Sequence, residues 1–503
     1  MITIIYSTHK DDNYNNSFKH HLLNSVGLKD VQILEYQNNN QYSLAEVYNR
    51  GISESIFDVV VCCHNDIKLE KNWGKKLLED FSNNPEFGII GKAGSCYFPE
   101  SGVYWERMQQ TMVGQVYHHP KGQKKFLSKY SPKLPFIVPV VTVDGLFITF
   151  DKTKIKHKFD ESYGKFHFYD HGFSVPNYLD GVKIGVTSSF EITHESIGQP
   201  NQEFWDSKNK FIEKWGDKLP LDLKPDFVYA PKITRKKFKK FGKVAIIIPT
   251  KGNVEMLLDC INSFYEHCDN EVFNIFIADT GSTDEEKNQI RGYIKNHNNI
   301  TLIEYDYYNF AKINNDVVKN HITEEYEFLL FSNNDIKILN DVITGMLSVY
   351  ETNKQAGTVG ARLHFGDNTV QHDGILTFIR KNDNSFGVTH LNLKNYYNYA
   401  NTIKDVFGNT GGLMMIRRNT FLDNGLFNEK YTSCFEDVEL NLILLSNGFK
   451  NFINSECVSY HYESLTRKDD PDNLKKLEND YRNNLINSVN LHIDKIKHKF
   501  LIV

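Results

Sequence analysis

The sequence predicts an α/β protein built as two tandem domains with mostly parallel sheets, followed by a C-terminal helical appendage. Three observations lead there. Short apolar runs end at Pro, Asn or Asp, stretches with a one-sided apolar face separate them, and a set of spaced landmarks occurs twice. A chain of 503 residues also has room for roughly two to four domains of ordinary size.

The second half shows the alternation most plainly. Val244 to Pro249 is an unbroken apolar run closed by Pro, the signature of a buried parallel strand. Val254, Leu257, Leu258, Ile261, Phe264 and Tyr265 then share one helical face. Further strands are expected at 272–278, 300–305 and 327–331, with helical stretches between them. The first half opens alike, with strands expected at 2–6, 31–36 and 58–63. Pro220, Pro225 and a basic run from Arg235 to Lys243 mark the join. The expected boundaries are a domain over 1–220, a linker over 221–242, a domain over 243–467 and an extension over 468–503. In the extension, Leu474, Leu477, Tyr481, Leu485, Val489 and Ile493 form an apolar seam.

Composition narrows the function classes. Hydrophobic residues at 40% and charged residues at 24% fit an ordinary globular chain, with ample material for more than one core. Lys+Arg 58 against Asp+Glu 63 gives a net charge of −5, which argues against a nucleic-acid coat protein. The seven cysteines form no Cys-x-x-Cys pair, so buried thiols are expected rather than disulfides or structural zinc. No basic leader opens the sequence, and the longest apolar run, 136–150, is interrupted by Asp144. A cytoplasmic protein is the expectation. The basic linker is read as solvated, with peripheral contact at the inner face of the cell membrane as the second reading.

The repeat is the informative feature. Asn65-Asp66-Ile67-Lys68 recurs as Asn334-Asp335-Ile336-Lys337, each time after an apolar strand. Gly88 and Gly357 each lie 22 residues beyond that Asp. Gly145-Leu146 is matched with Gly412-Leu413, and Asp170 and Asp437 each follow those glycines by 25 residues. His194 and His461 follow by a further 24, and both lead to a Glu-Ser pair. A lone Asp after a strand is usually a turn former, and a lone His is usually a packed core residue. An Asp, a later Asp and a still later His, kept twice at these spacings, point to chemistry instead. A strand-end carboxylate sits where open α/β sheets bind ligands. With a distant imidazole and a diphosphate it can complete an oxygen-rich divalent-cation site, and manganese tolerates the imidazole.

Residues 243–467 resemble the nucleotide-sugar-dependent glycosyltransferases of family 2, of the rhamnosyltransferase-like type with the GT-A fold. The pieces are Ile248-Pro-Thr-Lys, Ala278-Asp-Thr-Gly-Ser-Thr-Asp, Phe310-Ala-Lys-Ile-Asn-Asn, Phe331-Ser-Asn-Asn-Asp, Val370-Gln-His-Asp-Gly, Thr410-Gly-Gly-Leu-Met, Phe435-Glu-Asp-Val-Glu-Leu and Tyr460-His-Tyr-Glu-Ser. Residues 1–200 are similar to a more divergent branch, through Cys63-His-Asn-Asp, Phe168-Tyr-Asp-His-Gly-Phe and Thr193-His-Glu-Ser.

The resemblance implies roles. Asp170 and Asp437 would be the catalytic bases, one per domain, of an inverting transfer. Thr8, His64, Asn65, Thr250, Asp279, Asn315, Asn333 and Asn334 would contact the nucleotide sugar, with the partner of Asp279 in the first half left between Glu35 and Tyr36. Asp66, His194, Asp335 and His461 would hold the metal, Mn2+ or Mg2+, and Gly145, Gly412 and Glu436 would line the donor and acceptor pocket. Only the last carboxylate of the family's Asp-x-Asp motif is kept in each half, and Tyr169 stands where the second half has Glu436. The implied partners are nucleotide-diphosphate sugars, UDP-sugars first, and a glycan or lipid-linked glycan acceptor, with no nucleic acid. The implied function is a bifunctional glycosyltransferase extending a surface polysaccharide or glycoconjugate. The alternative is a single active C-terminal domain joined to an inactive, acceptor-binding N-terminal repeat. Donor sugars, linkage and oligomeric state are not encoded in these motifs.

Overall fold

In the computed structural model of the protein, residues 1–382, 385–462, 473–496, 499 and 501–502 are described. The chain forms two compact units, 1–225 with 395–400, and 226–394 with 401–503.

In the first unit a seven-stranded sheet runs in the order Val138–Val140, Lys183–Val186, Phe87–Gly91, Phe147–Asp151, Val59–Cys63, Ile2–Thr8, Val31–Gln37. Ile2–Thr8 is parallel to both of its neighbours, while Phe147–Asp151 is antiparallel to the two strands beside it. The strands form because their apolar residues are buried on both faces: Ile2, Ile4, Ile5, Val60, Val61, Cys62 and Ile89 are inaccessible. The sheet of the second unit repeats this order from Phe273–Asp279 through Lys243–Thr250, Tyr326–Ser332, Leu413–Arg417 and Ala356–His364 to Lys450–His461, with Ile300–Glu304 added beyond Phe273–Asp279. Its expected strands are present, each extended or trimmed by a residue or two at the ends. Leu413–Arg417 is again the antiparallel insertion, between Tyr326–Ser332 and Ala356–His364.

Superimposed register corrects one detail of the repeat. Phe147 pairs with Cys63 and Leu413 with Ser332, while the amides of His64 and Asn333 donate to the carbonyls of Leu146 and Gly412. Gly145 is therefore equivalent to Gly411, one residue before the expected Gly412. The loop to the following helix absorbs the difference.

Two other expectations meet the structure in detail. The basic run carries its charges against acids of its own unit: Lys236 on Glu351 (2.5 Å), Lys243 on Glu325 (3.3 Å) and Arg235 beside Asp341 (3.7 Å). The C-terminal seam is buried only in its later part. Leu485 and Val489 are covered, whereas Leu474 is 80% exposed. A π-helical stretch, Asp480–Leu485, lies between the helices Asn473–Asn479 and Ile486–Ile496. Its wider turn rotates the earlier residues off the packed face. Six of the seven cysteines are buried. Among the described residues, no helix is long and apolar enough to cross a membrane.

A buried amine gives the first unit a pH signature. Lys92 is 3% exposed and donates to the carbonyls of Thr187 (2.7 Å) and Phe190 (2.5 Å). Burial lowers its pKa to about 7 from 10.5. Between those values the unfolded chain binds more protons than the folded one, so this group makes stability rise with pH across that window. Lys92→Met should flatten the rise, read as urea midpoints at about pH 7.5 and about pH 9.5. An undiminished rise in the variant would place its cause elsewhere.

Candidate functional site

Each unit brings its landmarks to the carboxyl ends of its parallel strands. In the second unit the strand Tyr326–Ser332 delivers Asn333, Asn334 and Asp335, and Lys450–His461 ends on His461 directly opposite Ile336. His461 Nε2 lies 3.2 Å from Asp335 Oδ1. The hydrogen bonds fix the tautomer. His461 Nδ1 donates to Gln371 Oε1 at 2.8 Å, so Nε2 is bare and accepts from Asn333 Nδ2 at 3.1 Å. A bare imidazole nitrogen thus faces a carboxylate oxygen, and that Asp335 oxygen is buried with no hydrogen-bond donor. A cation placed there would satisfy the Asp335 oxygen and take the one lone pair of Nε2 in exchange for the Asn333 donor.

The first unit makes the same approach with one more ligand. His194 stands opposite Ile67 and its Nε2 is 3.3 Å from Asp66 Oδ1. The Ser196 hydroxyl lies 3.0 Å from the same nitrogen. His64, expected at the nucleotide sugar, joins this group: His64, Asp66 and His194 can offer one atom each within 4.8 Å of one another. His64 Nε2 meets the Tyr169 hydroxyl at 2.9 Å, which leaves Nδ1 facing Asp66 at 3.9 Å. Burial pushes His64 below its ordinary pKa, keeping the imidazole neutral as a ligand must be. At Asp66, burial acts to raise the pKa, but His194, His64 and Ser196 outweigh it and hold the carboxyl well below its usual range. The two departures of the first half from the second, His64 and Tyr169, therefore touch each other. Gly145 is required beneath them, because a Cβ there would come within 2.2 Å of the Tyr169 hydroxyl.

A Thr–Asn pair adjoins each carboxylate. Asn65 Nδ2 donates to Thr8 Oγ1 at 2.9 Å, and Asn334 Nδ2 to Thr250 Oγ1 at 3.0 Å. Asp279 is opposite Thr250 in the sheet and fully buried, its oxygens taking the amide and hydroxyl of Ser282. In the first unit the residue opposite Thr8 is Gln37, not Glu35 or Tyr36. Glu35 instead accepts from Tyr6, and Tyr36 donates to Glu54. Asn315 lies away from these groups in the structure's bonding. Its amide donates to the Phe427 carbonyl at 2.8 Å and to Glu429 at 3.0 Å, holding a loop.

Asp170 and Asp437 sit in the first turn of the helices Tyr169–Leu179 and Glu436–Ser446. Each accepts one amide per oxygen: Gly145 (2.9 Å) and His171 (2.9 Å) for Asp170, Gly411 (2.8 Å) and Val438 (2.7 Å) for Asp437. Both remain partly exposed. Gly412 adjoins the Asp335–His461 contact, since a Cβ there would stand 3.3 Å from His461 Cε1. Both helices begin from a phenylalanine in the left-handed region, Phe168 at φ 63° and Phe435 at φ 79°. Such a conformation costs a bulky residue about 1–3 kcal/mol and persists only where the surroundings enforce it. Glu436 follows Phe435 directly; Glu463 and Ser464, beyond His461, are outside the described residues.

The fold and site together define a class: an α/β domain that gathers an Asp, a later Asp and a His beyond its strands, present twice. Residues 4–215 match the family described as "Glycosyltransferase like family" and residues 245–424 match "Glycosyl transferase family 2", so the chain carries two glycosyltransferase family 2-type domains in tandem. It is similar to the O-antigen biosynthesis protein RfbC of Myxococcus xanthus, 24% identical over 230 residues, 45% of this chain and 18% of that protein. A second relative, the uncharacterized protein y4gI of Sinorhizobium fredii, is 24% identical over 232 residues, 44% of this chain and 25% of that protein. The aligned part thus spans a quarter or less of these curated relatives. Among solved structures, the chain aligns with GalNAc-T7 bound to UDP, GalNAc and Mn2+ (12% identity, TM-score 0.37, 44% of each chain). It also aligns with the mannosyltransferase PcManGT of Pyrobaculum calidifontis with GDP-Man and Mn2+ (15%, TM-score 0.34, 48% of this chain and 62% of that one).

The outer partner of His461 supplies a test of the cation position. Gln371→Leu removes the acceptor that fixes the tautomer, so Mn2+ affinity of the second unit should fall about 10–100-fold. Titration in an Asp66→Ala background isolates that unit, and unchanged affinity would show that the Gln371 contact does not tune a cation there.

Proposed function

We propose that each unit is an inverting glycosyltransferase with its own active site, and that the chain extends a glycan from nucleotide-diphosphate sugars. The observation that carries this reading is the repetition of three contacts in both units: the Asp–His approach, the Asn–Thr pair, and the helix-borne Asp held by two amides. The Asn–Thr pair and the residue opposite the Thr, Asp279 or Gln37, would hold the nucleoside. Asp66 with His194 and His64, and Asp335 with His461, would hold Mn2+ or Mg2+. That cation supplies charge neutralisation for the leaving diphosphate, which therefore needs no acid from the protein.

Asp170 and Asp437 would act as bases, each taking the proton of an acceptor hydroxyl as it attacks the anomeric carbon. Two amides fix each carboxylate in orientation and leave lone pairs for that proton, and partial exposure gives an acceptor access. One carboxylate per site suffices, in contrast to glycosidases, whose poorer leaving group must be protonated by a second. The name of the Myxococcus relative, an O-antigen biosynthesis protein, supports a surface polysaccharide as the product; UDP-sugars as donors and a glycan or lipid-linked acceptor complete the proposal. We place the protein in the cytoplasm, with any membrane contact peripheral.

Asp437→Asn should lower one transfer by about 10²–10⁴-fold while leaving donor binding intact, and Asp170→Asn should do the same to a different transfer. Nucleotide release from a panel of UDP- and GDP-sugars reads both. Loss confined to Asp437→Asn, with Asp170→Asn silent on every donor, would mean that the first unit is an acceptor-binding repeat.

A further inference from the structure

The loops that lead into the two Asp-bearing helices are each tied by a carboxylate from a helical segment that follows the metal-side His. In the second unit Asp480, fully buried, accepts the backbone amides of Thr432 (2.9 Å), Ser433 (2.7 Å) and Cys434 (3.4 Å) on one oxygen, Oδ2. Its other oxygen takes the Thr432 hydroxyl at 3.2 Å. The neighbouring Tyr481 places its ring 6.0 Å from that of Phe435, the left-handed residue that opens the helix of Asp437. In the first unit Glu203 of the helix Gln202–Trp215 accepts the amides of Lys165 and Phe166 on Oε1, and Ser207 of the same helix takes the amide of Gly164 at 3.1 Å. Phe204 and Phe211 of that helix pack on Phe168, the equivalent left-handed residue, at 5.2 and 5.4 Å.

The tied amides occupy matching positions. Lys165 and Thr432 lie five residues before the helix Asp, and Phe166 and Ser433 four before it. Charged acceptors make the stronger class of hydrogen bond to backbone amides, and each here collects more than one. A helix start held in a left-handed phenylalanine needs outside support to persist, and these carboxylates provide it at the residues just ahead. We infer that Asp480 and Glu203 are positioning residues: they set the loops that orient Asp437 and Asp170 without touching substrate. The inference rests on the functional reading above for the role of those two bases. It also gives the C-terminal appendage a task, as the second unit's counterpart of the helix Gln202–Trp215.

The test uses the full-length protein with Asp480→Ala, the isosteric Asp480→Asn, and Glu203→Ala. Hydrogen exchange at the amides of 432–434 reads the anchor directly, and calorimetry with UDP or GDP plus Mn2+ reads the rest of the site. Nucleotide release from whichever panel donor the wild type consumes gives kcat and donor KM. Asp480→Ala should speed exchange at 432–434 and lower kcat by as much as about 10²-fold, the scale of an ångström-sized misplacement, with donor KM and nucleotide affinity unchanged. Asp480→Asn, which keeps one acceptor oxygen, should restore part of kcat. Glu203→Ala should act on the transfer assigned to Asp170. Unchanged kcat, or parallel loss of kcat and nucleotide affinity, would overturn the positioning role. If the wild type consumes no donor, the functional reading fails, and unchanged exchange at 432–434 would separately overturn the anchor.

Discussion

A strand-end carboxylate brought within 3.2–3.3 Å of a distant imidazole nitrogen is the contact that both units are built to make. The Asp follows a central strand in each unit, and the His ends Lys450–His461 of the same sheet in the second unit but the short strand Ile192–His194 of a separate sheet in the first, 128 and 126 residues later in sequence for Asp66–His194 and Asp335–His461. Their encounter needs the sheet order, the antiparallel insertion and the short return strand at Ile67 or Ile336. In the second unit Gln371 and Asn333 hold the two nitrogens of His461 and so fix the ring beside Asp335. Other contacts follow from this constraint, since the Asn–Thr pair fixes the same loop that carries the Asp.

The units meet the constraint with different side chains. Where the second has Asn333 beside the Asp335–His461 pair, the first has His64, which can offer a third atom to the group of Asp66 and His194. That substitution comes with Tyr169, whose hydroxyl bonds His64, and with the glycine that makes room for it. The pairing is a local adjustment of two residues over a glycine that both units have at this place, and it leaves the two backbone-amide contacts of Asp170 like those of Asp437.

Much of this was legible in the sequence because it is local or periodic. Buried parallel strands announce themselves as unbroken apolar runs, and Asn-Asp-Ile-Lys after such a run marks the strand end twice. The errors have physical causes. Gly145 faces two candidate partners in sequence, Gly411 and Gly412, and only strand register separates them. Gln37 was missed because an amide carries no charge signal, whereas its place opposite Thr8 is a property of the sheet. Glu203 and Asp480 had no signal at all. They follow their histidines by 9 and 19 residues, and Asp480 faces inward only through a π-helical turn in an otherwise ordinary apolar seam.

The claim that each unit holds its own donor site is tested most directly by the stoichiometry of nucleoside-diphosphate binding. Calorimetric titration of the full chain with UDP, and in parallel GDP, in the presence of Mn2+ counts the sites without needing the acceptor. The account predicts two sites per chain in the wild type, one after Asp66→Ala and one after Asp335→Ala. A single site in the wild type, abolished by Asp335→Ala and untouched by Asp66→Ala, would contradict it.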